Sequence, residues 1–130
     1  MNPTQNKQVV TAAGQPSIGI SPAVRWGDLL FVSGQAAFDS ETKSVIGDDV
    51  ETQARVTLDK LDALLEAGGT SREHVLKMEC YLRDASDFLA WNGVFKEYYP
   101  EAPPSRSTVV AGQPLGGLLV EVAVIAGIPG

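Results

Sequence analysis

Leu118-Leu119-Val120-Glu121-Val122-Ala123-Val124-Ile125-Ala126 is apolar except for one carboxylate. Its length and β-branched content read as a strand. Leu118, Val120, Val122 and Val124 fall on one face of that strand, and Leu119, Ala123 and Ile125 on the other. A strand apolar on both faces expects cover on both sides. Glu121 is costly to bury in such a place unless it is paired or does work.

Upstream lies a second strand-like run, Ser105–Ala111, which Arg106 opens and which Pro103 and Pro104 stiffen on approach. A guanidinium on a rigid approach suits bidentate capture of a carboxylate or phosphate. If the two runs pair symmetrically about the 112–117 loop, Thr108 lies opposite Glu121 and Arg106 opposite Ala123. Arg106 and Glu121 then share a face as diagonal neighbours, with Cβ atoms roughly 7–8 Å apart. A slip of one residue would put them on opposite faces. Two readings stay open on this spacing: a small site, or a cross-strand ion pair at an oligomer interface.

The rest of the chain supplies the layers. Lys7–Thr11 is a short strand candidate. Ala23–Arg25 and Leu29–Ser33 flank the compact turn Trp26-Gly27-Asp28 as a hairpin, with Gly34-Gln35 ending its second strand. Residues 39–48 read as a polar loop with hairpin character. Val50, Ala54, Leu58, Leu61 and Leu65 predict a helix over 50–67, capped by Asp48 with Glu51 three residues on and stopped by Gly68-Gly69. Val75–Arg83 alternates as a strand, with Leu76, Met78, Cys80 and Leu82 on one face. A second helix spans about 85–98, capped by Asp84, with Phe88, Trp91, Phe95 and Tyr98 on its apolar side and Pro100 at its end.

Strands, helix, strand, helix and two strands make an α+β pattern in a single domain, 1–130. Two helices cover one face of the sheet. The doubly apolar last strand therefore calls for another copy of the chain against the other face, a homo-oligomer.

Bulk composition narrows the function. The chain has 130 residues, 44% of them hydrophobic, enough for one real core. Ten Lys and Arg against 16 Asp and Glu give a net charge of −6, which argues against nucleic acid as a partner. Cys80 is the single cysteine, which excludes an internal disulfide and fits a reducing compartment. Met1–Ile20 lacks the apolar stretch of a secretory signal, and no run approaches a membrane span of roughly 20 residues. The expectation is a soluble cytoplasmic protein.

Other candidates carry weaker signals. Ser33-Gly34-Gln35 reads either as a strand terminus or as a place where a ligand nears the backbone. Asn92 sits inside a helix, where Asn is a mediocre choice, and is either a working side chain or an exposed, indifferent one. His74 reads as a surface residue and Cys80 as core. With one His and one Cys, no metal set or Cys/His nucleophile system forms. The 112–117 loop lacks the Lys and the strand-to-helix context of a phosphate loop.

Val24-Arg25-Trp26-Gly27-Asp28-Leu29-Leu30-Phe31-Val32-Ser33-Gly34-Gln35 resembles a signature segment of the RidA/YjgF family of reactive intermediate deaminases. Pro104-Ser105-Arg106-Ser107-Thr108 is similar to that family's P-x-R-S signature, and Leu119–Ala126 to its closing strand. Gln53-Ala54-Arg55, Leu64–Gly69 and Asp87–Asn92 fall between them in family order, so the resemblance spans about residues 17–127.

The resemblance implies a chorismate-mutase-like α+β fold, a mixed sheet with two helices packed on one face. It also implies a homotrimer with a site at each subunit interface. It implies hydrolysis of reactive 2-imino or enamine acids, of the 2-aminoacrylate/2-iminopropanoate type, to 2-keto acids and ammonia without a cofactor. Arg106 would clamp the substrate carboxylate and Glu121 would position or activate water. Ser33, Gly34 and Asn92 would line the cavity, and the backbone at Thr108 would contact substrate or water. Other readings of the same scaffold are a metabolite-binding trimer and the ribonuclease activity attributed to the family. Two departures stand out: Ile20-Ser21-Pro22 replaces a segment that carries a pocket tyrosine, and Thr108 replaces a frequent cysteine.

Overall fold

A computed structural model describes residues 6–130; the first five residues of the expected domain lie outside the described part. Eight strands and two helices follow in the order β1 (Gln8–Val10), β2 (Ala23–Trp26), β3 (Leu29–Ala36), β4 (Phe38–Asp39), β5 (Ser44–Val45), α1 (Val50–Ala67), β6 (Val75–Leu82), α2 (Phe88–Tyr98), β7 (Ser105–Val110) and β8 (Val120–Gly127). Six strands form one sheet ordered β1-β2-β3-β8-β6-β7, and β4 and β5 pair as the small hairpin expected in the polar loop. The α+β class and the two helices are as read from the sequence.

The pairing of the last two strands is not. β7 runs parallel to β6, with Met78 beside Arg106 and Cys80 beside Thr108. β8 runs antiparallel to the other edge of β6, with Met78 beside Val124 and Tyr81 beside Glu121. β7 and β8 therefore never meet, and the expected symmetrical hairpin about residues 112–117 does not form. The reason lies in α2. It returns the chain after β6 in the same direction, so β7 arrives as a parallel crossover strand and β8 must turn back past it.

The core fills the space between the sheet and its helices. Leu58, Leu61, Leu64 and Leu65 of α1 and Trp91 and Val94 of α2 are buried against Leu30, Met78, Leu82, Val120 and Val122. The helix cap is Asp49, not Asp48. Asp49 alone precedes the first helical residue with extended backbone, and its carboxylate accepts from Thr52 N–H at 2.7 Å. Gly69, at φ +86°, takes the left-handed conformation that ends α1. In β6 an irregularity between Val75 and Lys77 leaves Leu76 53% exposed, so it does not join the buried row of Met78, Cys80 and Leu82. Residues 85–87 are a tight 3₁₀ turn and α2 begins only at Phe88, without a side-chain cap from Asp84. Among the described residues no helix is long and apolar enough to cross a membrane.

One polar residue belongs to this core. Gln53 is fully buried. Its amide donates to the carbonyls of Gly47 and Gly117 at 3.0 and 2.8 Å and accepts from Leu119 N–H at 2.8 Å. Two of these bonds fasten the loop entering β8 to the first turn of α1, where they fix the start of Glu121's strand, and the third ties that turn to the loop before it.

Candidate functional site

Register decides where Glu121 points. Val120, Val122, Val124 and Ala126 are buried beneath the helices, so Glu121, Ala123 and Ile125 face the uncovered side. Ala36 of β3 and Tyr81 of β6 flank Glu121 on that face. A register shift in β3 between Val32 and Gln35 bends Ser33-Gly34 toward it. A β-carbon on Gly34 would lie 2.9 Å from the Glu121 carboxyl carbon, so the glycine makes room for the carboxylate. Glu121 is half-buried, and burial raises its pKa above the ordinary 4.5. No protein donor is recorded for it among the described residues. A cavity of about 140 Å³ opens beside it, with Ser33, Gly34, Ile20 and Leu118 in its wall.

Arg106 lies elsewhere. It shares the helix-covered side with Met78 and Val124, at the free edge of the sheet. Its Nη1 donates to Asn92 Oδ1 at 2.8 Å, and its guanidinium stands 4.4 Å over the Phe95 ring and 5.8 Å from that of Phe88. Asn92 and Phe95 are one turn apart on α2, so one helix face both holds and orients the cation. A guanidinium has five N–H donors, and most of this fork stays available for a carboxylate. Pro103, Pro104 and Tyr99 complete the rim.

The expected shared face for Arg106 and Glu121 is thus overturned. They sit on opposite faces because the parallel crossover puts β6 between their strands in place of a hairpin. A cross-strand ion pair within one chain is excluded with it. Of the other expected residues, Ser33 and Gly34 gather around Glu121, whereas Asn92 gathers with Arg106. Thr108 pairs with Cys80 in the ladder, and its hydroxyl is buried beside that thiol. Ala111 N–H donates to Leu82 O, so strand alternation turns the N–H and C=O of Arg106 and Thr108 to the open edge. Cys80 is core, and burial pushes its thiol up to about 12, which leaves it an inert thiol. Among the described residues no cluster of His, Cys, Asp and Glu is placed to hold a metal ion.

Two contributors escaped the sequence reading. The spacing puts Phe95 on the apolar side of the second helix, yet its ring is also the platform under Arg106. Gln53 was read only as part of a family pattern, and nothing local marks a buried glutamine on a helix as a latch for a strand 66 residues away.

The uncovered face is apolar around these groups. Val24, Phe31, Ala123 and Ile125, with Lys77 and Glu79 beside them, line a groove of about 270 Å³ on it.

Known proteins share this fold. The endoribonuclease L-PSP family pattern matches residues 9–128. A RutC family protein of Pyrococcus horikoshii is 35% identical over 122 residues, covering 92% of this chain and 97% of its own. The crystal structure of RidA from the Antarctic bacterium Psychrobacter superposes with a TM-score of 0.84 at 34% identity, over 93% of this chain and 99% of that one. The E. coli TdcF structure with bound serine gives a TM-score of 0.84 at 28% identity, over 94% and 99%. With the family pattern spanning residues 9–128 and solved relatives superposing over nearly the whole chain, the chain belongs to the endoribonuclease L-PSP family, the RidA/YjgF group.

Proposed function

We propose that this protein hydrolyses reactive 2-imino and enamine acids, of the 2-iminopropanoate type, to 2-keto acids and ammonia. The observation that carries the reading is Glu121: a half-buried carboxylate with a raised pKa, no hydrogen-bond donor among the described residues, and a glycine clearing space in front of it. Such a group is suited to take a proton from water and return it.

The two half-sites meet only between copies. Glu121 faces the uncovered side of one subunit, while Arg106 and the Thr108 backbone sit on the free β7 edge of the next. A homotrimer that lays each open face against a neighbour's β7 edge would bring them together and cover the apolar groove. Arg106 then clamps the substrate carboxylate, which sets C2 beside Glu121. Water adds to C2 of the imine as Glu121 accepts its proton. That proton passes to nitrogen to give the carbinolamine; Glu121 then carries the hydroxyl proton to the amine as the C–N bond breaks, so ammonia leaves as the C2 carbonyl forms. The serine bound in the TdcF structure supports a scaffold that accepts small amino-acid-like carboxylates.

The test generates imines in situ with an amino-acid oxidase and follows keto-acid release. Wild type should outpace buffer, and Arg106→Ala and Glu121→Gln should each lose activity. Mixing and reassembling the two inactive variants should restore part of it, since some interfaces regain one intact Arg106 and one intact Glu121. Wild type no faster than buffer on every imine removes the reading. Failure of the mixture, with assembly verified, removes the shared interface. The ribonuclease reading is disfavoured by the net charge of −6 and the single histidine.

A further inference from the structure

We propose that this site prefers 2-imino acids with a large apolar side chain over 2-iminopropanoate, an inference that rests on the deaminase reading above. The cavity beside Glu121 is about 140 Å³, close to the roughly 150 Å³ that holds a benzene molecule in an apolar protein cavity. Ile18, Ile20, Pro22, Leu115 and Leu118 form its wall. Ile18, Ile20 and Leu115 are 68%, 59% and 46% exposed, which leaves aliphatic surface facing the space next to the carboxylate.

The polar groups of the same wall are already engaged. The Ser33 hydroxyl donates to Ser21 O at 2.7 Å. The Gln35 amide donates to Ser33 O at 3.1 Å and accepts from Gln15 at 2.9 Å. The Lys60 ammonium donates to the carbonyls of Ala36, at 3.1 Å, and Phe38. Apart from Glu121 and the third N–H of Lys60, the wall therefore offers a substrate mainly hydrocarbon. It is also a fixed wall: Ser33 N–H donates to Pro22 O at 2.9 Å and Ser40 Oγ to Gly14 O at 2.8 Å, so both ends of the 14–22 segment are fastened to the domain. With the substrate carboxylate on Arg106 and C2 beside Glu121, the third substituent on C2 points to this wall.

Each methylene seated in an apolar pocket is worth about 10-fold or more in kcat/KM. An isobutyl or benzyl group half-covered by the wall should therefore gain at least about 10-fold over methyl. The experiment measures kcat/KM on imines generated in situ from leucine, phenylalanine and alanine, for wild type, Ile20→Ser and Leu115→Ser. In parallel, calorimetry measures binding of 4-methyl-2-oxopentanoate and pyruvate. We expect a leucine-to-alanine ratio of about 10 or more, falling toward one in both variants, and tighter binding of the larger keto acid. A wild-type ratio at or below one, or a ratio unmoved by both substitutions, overturns the preference and leaves the deaminase reading standing. No turnover of any imine, with the larger keto acid still bound more tightly, overturns the deaminase reading and keeps the preference for large side chains.

Discussion

The two faces of the sheet treat buried polar groups in opposite ways. Beneath the helices Gln53 is fully buried and has every one of its three contacts satisfied. On the uncovered face Glu121 is half-buried and has no recorded donor among the described residues. A satisfied buried amide rigidifies a fold, whereas an unsatisfied carboxylate is destabilising unless something outside the chain uses it. The closed face holds the scaffold, with Arg106 at its edge; on the proposed reading the open face carries Glu121 and the contact between copies.

Neighbouring residues on β8 offer the sharpest way to break this contrast. Val122 is fully buried on the closed face, and Ala123 lies on the open one opposite Glu79. Val122→Arg should cost about 4 kcal/mol or more, enough to abolish a folded baseline in thermal unfolding. Ala123→Arg should keep a cooperative transition, yet fail to assemble in sedimentation and lose turnover. An Ala123→Arg protein that assembles and turns over normally would show that the open face is not an interface.

Next in size is Glu121→Gln, with an expected loss of roughly 10²- to 10⁴-fold in kcat/KM. Because burial raises the folded-state pKa of Glu121, its ionisation above that pH subtracts stability, and its contribution is favourable only at lower pH. The glutamine variant should therefore match or exceed the wild-type Tm at pH 7 while being inactive. Wild-type kcat/KM should fall as pH drops through a pKa above 4.5, and the variant should lack that limb. A large drop in Tm would instead assign Glu121 to the scaffold.

Gln53→Leu tests the other pole. It strands Leu119 N–H and two carbonyls, at a cost of about 3 kcal/mol read from the denaturant midpoint. Unchanged stability would mean the latch is idle. The smallest effect is expected from Gly34→Ala. Its methyl would press on the Glu121 side chain rather than on backbone, so the carboxylate shifts and the fold stays. A roughly 10- to 100-fold loss of kcat/KM with an unchanged Tm is the expected outcome.

Local pattern made most of the fold legible. The leucine spacing marked α1, the Gly27 turn marked the β2–β3 hairpin, and the apolar run of residues 118–126 marked β8 as a strand inside the sheet. Errors arose where one residue of backbone geometry decides: the cap at Asp49, the irregularity that turns Leu76 outward, and the late start of α2. The candidate site was legible as a set of residues, through the family signatures at Ser33-Gly34 and Arg106, but not as a geometry.

The sequence by itself determined the layers, the apolar faces and the presence of an isolated cation and an isolated carboxylate, because these follow from composition and period along the chain. Tertiary structure alone decided that Arg106 and Glu121 lie on opposite faces. That outcome depends on α2 returning the chain parallel to β6, and so on which strand sits between β7 and β8. A long-range pairing of this kind leaves no periodicity in either strand, since the side-chain alternation of β7 and β8 is the same whether they pair with each other or with β6.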